Sequence, residues 1–142
     1  MPIHWRKLFI DSSVLLAFVD RADSNHRKSV QVVENVARGG YQLYTSVQNI
    51  SETYAFLARE LGLSVALEFL QATLQSDMEI LFPQKTEFFT TFRLLRSNRE
   101  RQVTLREALN ATLMQKKGVM YILTFGYWHN LLGTHVANLI VP

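Results

Sequence analysis

The chain has 142 residues, no cysteine, and a formal net charge of +3 from 15 Lys and Arg against 12 Asp and Glu. The length suits one domain, residues 1–142, with a core large enough to fold without staples. The lack of cysteine excludes disulfides and cysteine-ligated zinc or iron–sulfur centres, and the mild basic excess is compatible with a polyanionic partner such as RNA. No apolar run approaches the roughly 18–20 residues that span a bilayer, and Arg6 and Lys7 lead straight to Asp11 with no signal-peptide core. The expectation is a cytoplasmic protein with no membrane partner.

Taken in chain order, Lys7–Ile10 is a predicted strand, and Asp11–Val19 a short helix. Asp23 or Ser24 can cap a helix over Asn25–Arg38, in which Val30, Val33, Val36 and Ala37 recur at helical spacing before Gly39-Gly40 stops it. Tyr41–Thr45 is a second strand. The helix after it runs to about Leu61, with Val47, Ile50, Tyr54, Leu57 and Leu61 on one stripe, and Gly62 breaks it. Ser64–Gln75 is a further helix, and Met78–Phe82 a third strand closed by Pro83. Helices Gln84–Ser97 and Leu105–Lys116 flank a polar loop. Gly118 ends the second, Val119–Thr124 is a fourth strand, and Leu139–Val141 a short fifth. Phe88, Phe89 and Phe92, at near-helical spacing, are expected in the core.

Strands alternating with helices imply βαβ crossovers and a mostly parallel sheet of four to five strands with helices on both faces, an α/β fold in three layers. In such sheets ligands bind at the carboxyl ends of the strands. Three acids fall there. Asp11 directly follows the first strand, where it can also cap the next helix. Glu52 lies early in the helix after the second strand, opposite its apolar stripe, where an acid also suits the helix dipole. Glu107, in Thr104-Leu105-Arg106-Glu107, fits a capping box. Carboxylates gathered at one sheet edge are what two-metal phosphodiester chemistry requires, because hard divalent cations take oxygen ligands.

The segment Phe9-Ile10-Asp11-Ser12-Ser13-Val14-Leu15-Leu16-Ala17 resembles the opening motif of PIN-domain proteins, best known as VapC-type toxin nucleases. Thr45-Ser46 with Ser51-Glu52 is similar to the second motif, and Thr104-Leu105-Arg106-Glu107-Ala108 to the third, with Glu107 where the family usually has Asp. Ile122-Leu123-Thr124-Phe125-Gly126 resembles the fourth, but Gly126 stands where a final Asp is usual. The resemblance implies a PIN-like fold and a metal-dependent endoribonuclease of reduced activity. Asp11, Glu52 and Glu107 would be its catalytic residues and its ligands for Mg²⁺ or Mn²⁺. It also implies RNA as substrate, a small antitoxin protein as partner, and a homodimer. The alternative is a catalytically impaired PIN-like module that binds RNA or protein. Arg96, Arg99, Arg101 and Arg106 are candidate phosphate contacts beside the crevice, and Arg106 can place a positive charge inside the site. No pair among His4, His26, His129 and His135 has zinc spacing.

Overall fold

The computed structural model describes residues 6–137. Strand β1 (Lys7–Ile10) leads into helices α1 (Ser12–Val19) and α2 (His26–Arg38), then β2 (Gln42–Ser46), α3 (Val47–Glu60) and α4 (Leu63–Gln75). Strand β3 (Glu79–Leu81) precedes α5 (Lys85–Ser97), a 3-10 turn at Arg99–Arg101, α6 (Leu105–Lys117), β4 (Tyr121–Leu123) and β5 (His135–Val136). The five strands form one sheet in the order β3-β2-β1-β4-β5, and every pairing is parallel. β1 lies at the centre, with Phe9 in register with Tyr44 on one side and Ile122 on the other.

Alternation along β1 assigns the two faces. Leu8 and Ile10 pack with Val14 and Leu15 of α1, Val32 and Val36 of α2, Ile50 and Leu57 of α3, and Phe69 of α4. Phe9 points the other way, into a cluster with Tyr44, Leu81, Ile122, Trp128 and the Ala111, Leu113 and Met114 side chains of α6. The helices therefore cover both faces of the sheet, as the alternating pattern predicts.

One expectation changes, and another falls outside the described residues. The fifth strand among the described residues is His135–Val136, too short to carry a pattern, while Leu139–Val141 lies outside the described residues. Phe88, Phe89 and Phe92 are not core: they are 44%, 56% and 56% exposed. The inward face of α5 is carried instead by Glu87 and Thr91, both buried, and the Thr91 hydroxyl donates to that of Thr112 on α6 at 3.0 Å. Helical spacing fixes which residues share a face, not which face is inward.

Candidate active site

Asp11 extends the β1–β4 pairing, since its backbone N–H donates to the Leu123 carbonyl at 3.0 Å. Its extended backbone occupies the N-cap position of α1, but its side chain makes no capping bond and turns to the crevice. There Oδ2 accepts from the hydroxyls of Thr124 at 2.7 Å and Ser13 at 3.1 Å, and Oδ1 accepts from Arg106 at 2.7 Å. The carboxylate is buried. Ser13 Oγ and Thr124 Oγ1 also accept the backbone N–H groups of Phe125 and Gly126, at 3.0 Å each, so the turn after β4 is strapped to Asp11 by hydroxyls.

Glu52, on the first half of α3, reaches the same place from the side. Its Oε2 lies 2.9 Å from Arg106 Nε, and Oε1 accepts weakly from the Ser12 hydroxyl at 3.4 Å. One guanidinium thus joins both acids, and its NH1 also donates to Asn49 Oδ1 at 3.2 Å. Asn49 is fully buried. Its amide nitrogen donates to the Ile10 carbonyl and Thr45 Oγ1, both at 3.3 Å, and its oxygen accepts from Asn110 at 3.0 Å. Asn110 in turn accepts from Ser46 and Gln48, both at 2.7 Å. This buried polar network supports the crevice floor. Sequence reading missed it, because single polar residues at the end of a strand or on a helix carry no periodic signal; their only trace is a polar residue at an inward position.

Glu107 goes elsewhere. Thr104 caps α6 by accepting from the Glu107 N–H at 3.1 Å, but the carboxylate does not complete the predicted capping box. It receives the backbone N–H of His129 at 2.5 Å and lies 2.7 Å and 2.8 Å from His129 Nδ1. The reciprocal box forms at α5 instead, between Gln84 and Glu87.

The expected ligand set is therefore not assembled. Asp11 and Glu52 meet, whereas Glu107 is engaged by His129. Among the described residues no group of three or more His, Cys, Asp or Glu could hold a metal ion. A Mg²⁺-like cation needs carboxylate oxygens with free lone pairs at about 2.0–2.1 Å. Here those oxygens face Arg106, Ser13, Thr124 and His129, and Gly126 adds none. The residues as arranged do not fit a divalent cation. Arg106, expected among the phosphate contacts, does lie inside the site. Arg96 instead stacks over the Phe92 ring at 5.4 Å, and Arg101 donates to Asn98 at 3.0 Å; Arg99 sits with Arg101 in the 3-10 turn leading to α6.

An apolar cavity of about 670 Å³ between α1, α2 and α4, with Val14, Phe18, Val33, Tyr41, Phe69 and Met78 in its lining, contains none of these charged groups.

The parallel sheet thus delivers a buried aspartate from its first strand to its carboxyl edge, beside Glu52 from α3. The PIN domain model matches residues 8–127, and the chain belongs to the PIN domain family. It is also similar to the crystal structure of VapC20 from Mycobacterium tuberculosis, described as a sarcin–ricin-loop-cleaving toxin. The TM-score is 0.74 at 20% identity, over 84% of this chain and 89% of that one. No curated protein sequence matches it.

Proposed function

We propose that this chain is a toxin-type PIN domain that takes RNA at the carboxyl edge of its sheet and hydrolyses it slowly. The observation that carries the reading is the meeting of Asp11, Glu52 and Arg106 at that edge. Two acids of a nuclease centre are kept. A guanidinium lies across both, so the trio carries a net charge of −1 from two carboxylates and one arginine. Mg²⁺ or Mn²⁺ is the cofactor that the family resemblance implies; Asp11, Glu52 and Arg106 as arranged do not fit such an ion, so cleavage that depends on it would be slow. Arg96, Arg99 and Arg101, on the segment leading to Arg106, supply positive charge for the RNA backbone. The likeness to a sarcin–ricin-loop-cleaving toxin supports that choice of substrate. It also supports a small antitoxin partner, for which the apolar cavity beside α1, α2 and α4 offers surface. A second reading, a PIN-like module that binds RNA or protein without cleaving, is favoured by the Arg106 bridge alone.

The test incubates the purified chain with mixed RNA oligomers in Mg²⁺ and, separately, Mn²⁺, following binding by fluorescence anisotropy and cleavage on gels. The expected result is binding with slow cleavage that Asp11→Asn abolishes. Binding without cleavage, in both the wild type and Gly126→Asp, selects the module. RNA that neither binds nor breaks removes the nuclease reading and the RNA-binding form of the module.

A further inference from the structure

The centre contains a cation of its own. Arg106 offers Nε to Glu52 Oε2 at 2.9 Å and NH1 to Asp11 Oδ1 at 2.7 Å and Asn49 Oδ1 at 3.2 Å. The three oxygens come from three places: the end of β1, the first turn of α3 and its second. They face one guanidinium. Asp11 is buried, and a buried carboxylate without a compensating charge is strongly disfavoured. An arginine fills that need permanently, because its guanidinium stays protonated at any pH at which proteins fold. We propose that Arg106 is the resident cation of this PIN-domain centre, joining Asp11 to Glu52 in place of a divalent ion, so that the free chain is metal-independent there and takes up such an ion only when the guanidinium is removed.

Removing the guanidinium leaves Asp11 Oδ1 and Glu52 Oε2 without that donor and opens one lone pair of Asn49 Oδ1, which keeps its bond from Asn110: two carboxylate oxygens and an amide oxygen with a net charge of −2. Hard divalent cations select that chemistry. The opposite oxygen of Asp11 keeps its Thr124 and Ser13 hydroxyls, so the carboxylate stays oriented in the variant. The proposal deepens the reading of the same centre but concerns the protein without RNA. A metal titration of the free chain can fail while slow RNA cleavage stands, and the reverse.

The experiment strips the full chain of metal, titrates it with Mn²⁺, and follows bound Mn²⁺ by loss of the free-ion electron paramagnetic resonance signal and stability by thermal denaturation. The wild type is expected to bind no Mn²⁺ through Asp11 and to keep its melting temperature with or without the ion. Arg106→Ala is expected to melt lower in metal-free buffer, to bind one Mn²⁺, and to regain about 4 °C or more at saturating ion. Arg106→Ala/Asp11→Asn should lose that binding, and Arg106→Lys should remain metal-free. A wild type that binds one Mn²⁺ in a manner abolished by Asp11→Asn overturns the proposal. So does a folded Arg106→Ala that binds none. If Arg106→Ala does not fold without metal, Arg106→Gln, which keeps most of the side-chain volume, replaces it under the same criteria. If neither folds, recovery of the fold by Mn²⁺ supports the proposal and failure to recover it counts against it.

Discussion

Successive residues of an α-helix point about 100° apart, so of Arg106 and Glu107 at the start of α6 only one side chain can face Asp11. The structure gives that position to Arg106 and turns Glu107 to His129. The sequence showed that acids fall at the strand ends, and that Arg106 can bring charge inside. It did not show which of two neighbours faces the crevice, because a capping motif and a catalytic motif share the same letters. Gly126 is the other departure, and it is open to repair. Its backbone is not left-handed, and a Cβ there would meet only Thr124 Oγ1, at 3.6 Å, an ordinary contact. Gly126→Asp should therefore fold. If metal scarcity limits the rate, it should speed RNA cleavage by about tenfold, or ~1.4 kcal/mol of barrier, with a larger gain in Arg106→Ala/Gly126→Asp. Single-turnover assays decide, and two variants no faster than wild type would sink the explanation. The Glu107–His129 contact is structural on this account. Glu107→Ala leaves the His129 N–H without its acceptor and should cost about 1–3 kcal/mol in urea denaturation. Glu107→Gln, which can still accept it, should cost less.

At the scale of elements, α5 shows how a helix can be read correctly in extent and wrongly in orientation. Its predicted span, Gln84–Ser97, is nearly the observed Lys85–Ser97. The phenylalanines drew the reading inward, yet the side facing α6 holds a buried carboxylate with its lysine and a pair of threonines. Glu87 accepts from the Thr86 hydroxyl at 2.6 Å, the Gln84 N–H at 2.8 Å and Lys116 at 3.1 Å. The Thr86 hydroxyl first, then the Gln84 amide and Lys116, hold the Glu87 carboxyl down at about 2. A carboxyl whose pKa is lower folded than unfolded stabilises the fold above its unfolded value, and that contribution fades as pH falls towards the folded one. The ordinary value for a glutamate is 4.5, so the window runs from about pH 4.5 down to about 2. The gap in melting temperature between wild type and Glu87→Gln should be full at pH 6 and shrink across that window. A gap unchanged from pH 6 to about pH 2.5 would remove Glu87 from the linkage.

For the molecule as a whole, the α/β frame was legible because four of its strands are short apolar runs set between amphipathic helices, and that alternation admits few topologies. β5 was not, since two residues carry no period. Surface roles were the least legible, because burial is decided by partners distant in sequence. Two predictions belong at this scale. If Arg99 and Arg101 bind RNA phosphates, Arg99→Ala/Arg101→Ala should weaken binding to every RNA sequence alike. It should also flatten the dependence of log affinity on log salt by roughly 0.7 for each phosphate no longer neutralised; an unchanged slope would place the RNA elsewhere. The other concerns assembly. The family resemblance implies a homodimer, and Leu61, Leu63, Leu67 and Leu74 are exposed on the α3–α4 hairpin. An aromatic surface lies on α5, where exposed Phe88, Phe89 and Phe92 fall within an arc of about 100°, with exposed Phe82 just before the helix. Exposed aromatics grouped in this way are the composition of interface cores, and a standard interface needs only about 800 Å² from each partner. We therefore expect a homodimer joined through α5. Light scattering at micromolar concentration should give twice the chain mass, and Phe89→Glu/Phe92→Glu should give the monomer with little loss of thermal stability, since neither ring is in the core. A Leu63→Glu/Leu67→Glu variant should stay dimeric; if it alone dissociates, the hairpin is the interface, and a wild type already monomeric removes the dimer.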